Sequence, residues 1–251
     1  MYYYYYPILL DLGFIKIYTW GLIVAIGVYL AYYLLKKYGC DEHCERLFFL
    51  SLVLGFLGSR ILYITGHSDE FNSIFDLIAI WNGGLDWGGG FFLAFLGFYI
   101  YTKYYKLNFL KYADKFTLPL VLGFMISRIG CVFGDGGHLG KETQFVLGAV
   151  VEGVKRHYTA VYSVFGLGLL FLGLYYLSKK NSFDGYLFSM YLILYGVGRF
   201  FSDFLRADST YFGFTFAQYL AIVSVCIGLF IIWKNHVRFI KLIGLLLSVH
   251  K

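Results

Sequence analysis

The feature that most constrains this chain is a series of apolar runs, each about 20 residues long, which is the length of helix that crosses a bilayer core. The runs lie near residues 17–35, 47–66, 85–102, 116–134, 158–178, 185–205 and 213–233. Only 14% of the 251 residues are charged, compared with roughly 25% in soluble domains. Because the runs fill nearly the whole length, the sequence predicts an all-α integral membrane protein with about seven transmembrane helices in a single polytopic domain, residues 1–251.

The basic residues are divided unequally between alternate connections of these helices. Thirteen lysines and arginines lie after the first, third and fifth spans and at the C-terminus, whereas five lie on the opposite side. The positive-inside rule therefore places the N-terminus outside and the C-terminus in the cytoplasm. The net charge of +6 then anchors the chain against anionic membrane lipids, and no nucleic-acid partner is indicated.

Three arginines, Arg60, Arg128 and Arg199, lie within or at the ends of apolar runs. Each costs about 2.5 to 3.5 kcal/mol at a helix centre, so each needs an anionic partner, water or a place near the interface. In the predicted topology all three approach the outer face. For Arg60 alone, snorkelling to the interface is the simpler interpretation. For Arg128 and Arg199 we favour an anion-binding function, because guanidinium groups fork onto phosphate.

Two glycine-rich segments, residues 81–90 and 134–140, adjoin predicted span boundaries on the outer side. We expect their backbone to leave helical geometry and approach a ligand closely. Helix packing through small residues is the alternative, although it explains the run Gly88–Gly90 less well. Other polar residues predicted on this side are Asp86, Asp135, His138, His157, Tyr162, Asp203, Arg206 and Gln218.

Four motifs occur in an order that is typical of one family of membrane enzymes. They are WNGGLDWGGG at 81–90, RIGCVFGDGGHLGK at 128–141, RHYTAVY at 156–162, and YGVGRFFSDFLRAD with GFTFAQ at 195–208 and 213–218. From about residue 17 to 234 the chain resembles the prolipoprotein diacylglyceryl transferase family. The resemblance implies a multi-pass protein of the bacterial cytoplasmic (inner) membrane with its active site toward the outer face.

The activity that this resemblance implies is transfer of a diacylglyceryl group from phosphatidylglycerol to the lipobox cysteine thiol in the signal peptide of a preprolipoprotein. Glycerol phosphate is released, and the scheme requires no cofactor and no metal. Cys40, His43 and Cys44 are too few to indicate a zinc site by themselves.

The resemblance also implies roles for individual residues. Arg128 and Arg199 would bind the phosphate and act in catalysis, with Asp203 orienting Arg199. Either Asp135 or His138 would accept the thiol proton. The remaining expected substrate-binding residues are Arg206, Gln218, Gly88 and Gly89.

Several positions depart from the family pattern. Gly88 stands where the family has His or Tyr, Trp20 where it has Tyr, Tyr158 where it has Pro, and Asp203 where it has Glu. A catalytically silent relative that binds anionic phospholipid is therefore an alternative function. A small transporter is a third hypothesis, but the sequence shows no convincing internal repeat and its charges gather on one side.

Overall fold

The computed structural model describes residues 5–13, 16–71, 73, 83–135, 139–180 and 183–248, with only the backbone described for Glu70, Asp135 and residues 236–248. This part of the chain is mostly helical. Its α-helices are α1 Thr19–Lys37, α2 Glu42–Gly66, α3 Trp87–Tyr104, α4 Phe109–Gly130, α5 Thr159–Ser178, α6 Tyr186–Ser202 and α7 Phe216–Ser248. A π-helix, Cys131–Asp135, follows α4, and short 3₁₀ turns occupy Ser68–Glu70 and Asp203–Leu205.

Five segments in the described residues are long and apolar enough to cross a membrane. They are Thr19–Lys37, Glu42–Gly66, Phe109–Gly134, Thr159–Ser178 and Phe216–Asn235. Helix α6 has 17 residues, and α3 has 18 residues that include three successive glycines in its first turn. The prediction of several membrane-spanning helices is confirmed, whereas the count of seven and the orientation of the termini stay predictions.

One small antiparallel sheet precedes α1 and two others lie between later helices, so the expectation of an all-α chain was wrong in detail. Their strands are β1 Ile8–Asp11 with β2 Lys16–Tyr18, then β3 Leu139–Glu142, β4 Ala149–Val151 and β5 Val154–Tyr158, and finally β6 Thr210–Tyr211 with β7 Phe214–Thr215. The middle sheet has the order β3-β5-β4. Two of the hairpins close through two-residue turns, 152–153 and 212–213, in which both residues have positive φ.

The chain divides into two compact units, and the smaller one is Lys37–Tyr112. Here α2 and α3 cross at Gly58 and Gly89. A Cβ atom added to Gly89 would lie 2.2 Å from the carbonyl oxygen of Gly58. Gly88–Gly90 are therefore helical and Gly89 serves helix packing, which corrects the expectation that this run leaves helical geometry. The Asp86 carboxylate accepts a hydrogen bond from Gly88 N at 2.7 Å and caps the helix.

The larger unit comprises Met1–Lys36 and Ala113–Lys251. Its core contains buried side chains from three helices: Leu118 and Val121 of α4, Leu167 and Leu174 of α5, and Leu187 and Tyr191 of α6. Helices α6 and α7 approach closely at Gly196, where an added Cβ would lie 2.9 Å from the carbonyl oxygen of Ala221. Asp114 of α4 caps α6 by accepting hydrogen bonds from Gly185 N and Phe188 N at 2.6 and 2.7 Å. The expectation of a single membrane domain stays a prediction.

Candidate functional site

A buried carboxylate with two guanidinium neighbours lies at the end of α6. The side chain of Asp203 is 0% exposed, and its Oδ1 lies 3.0 Å from Arg199 Nη2. Arg199 stands one helical turn earlier, so the i,i+4 spacing puts both groups on the same face. Arg206 Nε approaches the same oxygen at 3.8 Å. The predicted pairing of Asp203 with Arg199 is therefore present in the structure.

The other oxygen of this carboxylate is held by the start of α7. The Thr215 hydroxyl donates a hydrogen bond to Asp203 Oδ2. Thr215 and Gln218 also form a reciprocal cap, in which Gln218 N donates to Thr215 Oγ1 at 3.1 Å and Thr215 N donates to Gln218 Oε1 at 2.9 Å. The junction between α6 and α7 thus fixes the position of Asp203.

Gln218 has protein partners at both ends of its buried amide. Besides the cap, its Nε2 donates to the carbonyl oxygen of Phe200 at 3.1 Å. These bonds tie the last turn of α6 to the first turn of α7. The geometry favours a positioning role for Gln218 over the direct substrate contact that the resemblance implied.

Arg128 supplies the excess positive charge of this region. It lies half-buried in the last turn of α4, and the described part of the chain offers it no hydrogen bond or ion pair. Its charge repels that of Arg199. Arg206 has a second carboxylate partner, Asp208, at 2.7 Å. Arg128, Arg199 and Arg206 carry three positive charges, whereas Asp203 and Asp208 carry two negative charges. One positive charge among these five side chains therefore stays unbalanced.

The π-helix after Arg128 is held in place by hydrogen bonds to its carbonyl oxygens. At a helix end, and with i→i+5 spacing, these oxygens can accept from donors outside the helix. Tyr158 Oη donates to the carbonyl oxygen of Val132 at 2.9 Å, and Tyr6 N donates to that of Phe133 at 2.7 Å. Gly134 passes the start of α1 so closely that an added Cβ would lie 2.6 Å from Trp20 N. The α-helix therefore ends soon after Arg128, and the π-helix that follows is held against the start of α1 and against Tyr158.

The two predicted proton acceptors fall at the edge of the described structure. The backbone of Asp135 ends the π-helix, but its side chain lies outside what is described, and so does the whole of His138. Another imidazole of this region is described. His157 Nδ1 lies 3.3 Å from the Tyr162 hydroxyl.

Gly140 links that histidine to the arginine region. Its backbone pairs with Arg206 in a single β-bridge. An added Cβ on Gly140 would lie 2.1 Å from the carbonyl oxygen of Leu205 and 3.0 Å from His157 Cβ. The middle sheet thus passes directly beside the turn that carries Asp203 and Arg206, and only glycine fits at the crossing.

Arg60 has a different environment, within the smaller unit. It is 8% exposed, and its Nη1 donates to the carbonyl oxygens of Gly83 and Gly84 at 2.8 and 2.9 Å. Its guanidinium lies 5.1 Å from the centre of the Phe71 ring. The interpretation that Arg60 snorkels into the interface was wrong, because two glycines at positive φ turn their carbonyls toward it.

Two residues that position the site were not predicted from the sequence. Thr215 lies in the segment GFTFAQ, where Thr-x-x-Gln before an apolar run is a recognisable capping signature. Tyr158 stands where the family pattern has proline, and no local pattern indicates that its hydroxyl reaches Val132. Within the described ranges, no three His, Cys, Asp or Glu side chains are grouped so that they could hold a metal ion.

Comparison with known proteins adds an independent finding. The profile of the prolipoprotein diacylglyceryl transferase family matches residues 7–234. A protein of Clostridium botulinum strain Loch Maree, named phosphatidylglycerol--prolipoprotein diacylglyceryl transferase, is 32% identical over 247 residues, covering 91% of this chain and 96% of its own. A Finegoldia magna protein of the same name is 32% identical over 235 residues, covering 90% and 94%. One from Clostridium perfringens, named as transferase 1, is 30% identical over 242 residues, covering 89% and 92%.

Proposed function

The chain belongs to the prolipoprotein diacylglyceryl transferase family, and we propose that it transfers a diacylglyceryl group from phosphatidylglycerol to the lipobox cysteine of preprolipoproteins. The observation that carries the proposal is the arginine cluster at the end of α6. Arg128 and Arg199 repel each other, yet only Arg199 has a carboxylate partner in the described structure. A phosphate group bound between them relieves that repulsion and balances the excess charge.

The proposed reaction is a substitution at a carbon of the glyceryl group. The cysteine thiolate forms a new carbon–sulfur bond, the bond from that carbon to the phosphate oxygen breaks, and glycerol phosphate leaves with the electron pair. Arg128 and Arg199 stabilise the charge that grows on the departing phosphate. The thiol proton passes to a base, which we assign to Asp135 or His138.

His157 is a further candidate for handling that proton. The Tyr162 hydroxyl lies within hydrogen-bonding distance of His157 and orients its imidazole. Gly140, in the neighbouring strand, packs closely against both His157 and the turn that carries Arg206. An imidazole can hold a hydrogen bond at one ring nitrogen and accept a proton at the other, so it is suited to such a transfer. Substituting His157 and His138 separately distinguishes the two, because only the acting base changes the pH dependence of turnover.

We further propose seven spans in the bacterial inner membrane, with the N-terminus outside, the C-terminus in the cytoplasm and the arginine cluster toward the outer face. Helices α3 and α6 complete the set, although each is shorter or less apolar than the other five. The basic residues support this orientation, as the positive-inside rule requires.

The alternative function, a silent relative that binds phosphatidylglycerol without thiol transfer, is favoured by one specific observation. Gly88 lies in the first turn of α3 and offers no side chain where the family pattern has His or Tyr. Proton transfer at that position is therefore impossible for this chain. Phospholipid binding by the arginines alone would survive such a loss.

One assay decides between the two functions. Purified protein in detergent is incubated with phosphatidylglycerol and a lipobox peptide, and the peptide mass is followed together with free glycerol phosphate. We expect a diacylglyceryl gain on the peptide cysteine and an equal amount of glycerol phosphate. Binding of phosphatidylglycerol without any peptide modification would support the silent relative and contradict the transferase.

A further inference from the structure

An aromatic residue in a left-handed backbone conformation stands at the tip of the β6–β7 hairpin. Phe212 has φ of 50° and is 100% exposed, and Gly213 beside it has φ of 89°. Such two-residue turns favour Asn-Gly, since a bulky side chain at positive φ is an outlier. Neither turn geometry nor packing within the chain explains a phenylalanine at this position.

The hairpin itself is firmly attached to the helices below it. Tyr219 Oη of α7 donates to the carbonyl oxygen of Tyr211 at 2.8 Å. The Phe214 ring packs against those of Phe200 and Tyr219, with centroids 5.6 and 5.9 Å apart. The exposure of Phe212 therefore belongs to an ordered hairpin that presents one ring outward.

The position of the hairpin in the chain indicates that the Phe212 ring contacts lipid and not only water. Thr215 immediately precedes Phe216–Asn235, a segment long and apolar enough to span the membrane. Tyr211 and Phe216 are 62% and 64% exposed, so apolar rings continue from the span onto the hairpin. Aromatic rings are enriched where a bilayer meets water, whereas a ring that stays fully in water gains no favourable free energy of transfer.

We propose that the hairpin Thr210–Thr215 is a membrane-insertion element whose tip, Phe212, enters the lipid interface beside the first turn of α7. The occupant of this apolar surface is the acyl region of bilayer phospholipid. Since Thr215 binds Asp203, insertion of the tip also sets the depth of the Arg199–Asp203 pair relative to the head groups. The proposal depends on the membrane location of α7 and not on the transfer chemistry, so either can fail alone.

The chain contains a matched turn for comparison. Glu152 and Gly153 connect β4 to β5 with φ of 51° and 80°, nearly the same geometry as Phe212 and Gly213. Glu152 is exposed and polar, so its tip has no reason to enter lipid. Because the two turns have nearly the same geometry, any difference in lipid contact between positions 212 and 152 reflects the side chain and its surroundings.

Photocrosslinking tests the insertion directly. The photoreactive residue p-benzoyl-phenylalanine is placed at position 212, or at position 152 as the control, in full-length protein reconstituted into phosphatidylcholine vesicles. After illumination, intact mass is expected to show a phosphatidylcholine adduct at position 212 and little or none at position 152. Absence of adduct at position 212, or equal adducts at both positions, would overturn the proposal.

A substitution that preserves the turn provides the second test. Phe212→Asn suits the left-handed conformation but removes the apolar ring, and Glu152→Asn is its control. In lipid nanodiscs we expect faster hydrogen exchange across Thr210–Thr215 in Phe212→Asn, with no acceleration across β4 and β5 in the control. A hairpin that stays equally or better protected after Phe212→Asn would show that the ring does not hold it in the membrane.

Discussion

At the scale of single residues, the buried carboxylate of Asp203 organises the arginine cluster. One oxygen faces Arg199 and Arg206 while the other accepts from Thr215, so the side chain has little freedom to turn. Removing one partner of a buried ion pair costs about 3 to 5 kcal/mol, because the other charge is left uncompensated. Arg199 is therefore held in place through Asp203 and, behind it, through Thr215.

The Thr215 hydroxyl is expected to matter for turnover, because it both binds Asp203 and caps α7. Thr215→Val removes the hydrogen bond to Asp203, worth about 1.5 to 3 kcal/mol for a charged acceptor, together with the oxygen that accepts from Gln218 N, so we expect transfer to fall by roughly tenfold or more. Thr215→Ser keeps the donor and the cap and should restore most of the activity. Initial rates at saturating phosphatidylglycerol measure both variants, and equal losses in Val and Ser would contradict a role for the hydroxyl.

Some of the residues that form the site could be predicted from the sequence. Arg128, Arg199 and Asp203 stand out because charge is rare in apolar runs and an i,i+4 spacing brings opposite charges together. The environment of Arg60 was not predictable, since its partners are carbonyl oxygens of Gly83 and Gly84, more than twenty residues away. Backbone acceptors of this kind leave no mark on the sequence pattern.

At the scale of elements, the adjacent glycines Gly88 and Gly89 of α3 have different structural roles. A Cβ on Gly89 would meet backbone atoms of Gly58, whereas a Cβ on Gly88 has the Asp86 carboxylate 3.1 Å away as its nearest neighbour. Backbone in a helix crossing cannot yield without separating the helices, but a side chain can rotate. Of these two glycines, only Gly89 is required by the packing of α2 against α3.

Gly89→Ala should therefore lower the thermal stability of the purified protein clearly, by about 1 to 3 kcal/mol or more of overpacking strain. Gly88→Ala is the matched control, and we expect it to be nearly neutral because alanine is the better helix former. Thermal unfolding in the same detergent compares the two. Similar midpoints for both variants would contradict the assigned helix crossing.

The π-helix after Arg128 gives a prediction about Tyr158. Tyr158→Phe deletes the bond to the Val132 carbonyl and should cost about 1 kcal/mol of stability, with a further loss of transfer activity as the segment after Arg128 loosens. Ser224→Ala serves as control, since it removes one hydroxyl-to-carbonyl bond to Leu192 between α6 and α7. Activity and thermal midpoint are measured together, and equal activity in both variants would contradict a positioning role for Tyr158.

Helices were predictable from the sequence, but the small sheets were not. Apolar runs of membrane length leave few alternatives to a helix, and described helices stand close to the predicted spans. The strands have two to five residues each, too few for a period of two to be recognised. Their pairing depends on glycines such as Gly140, whose role is visible only when Leu205 and His157 are placed around it.

At the scale of the whole molecule, the orientation in the membrane determines which compartment the arginine cluster faces. We predict that a reporter fused after Lys251 is active only if it functions in the cytoplasm, because the connections predicted to lie on that side hold thirteen of the basic residues. Paired fusions of a cytoplasmic fluorescent protein and a periplasmic phosphatase provide the measurement. Phosphatase activity at the C-terminus would contradict the proposed topology and the outward-facing site.

The central claim is that Arg128 and Arg199 bind the phosphate of phosphatidylglycerol during transfer to a cysteine. Its most direct test compares Arg128→Ala with Arg156→Ala in the peptide-mass assay, since Arg156 is another arginine on the same predicted side but pairs with Glu142 at 3.5 Å. We predict that Arg128→Ala abolishes diacylglyceryl transfer while Arg156→Ala retains most of it. Transfer by folded Arg128→Ala at the rate of the unaltered protein would contradict the claim.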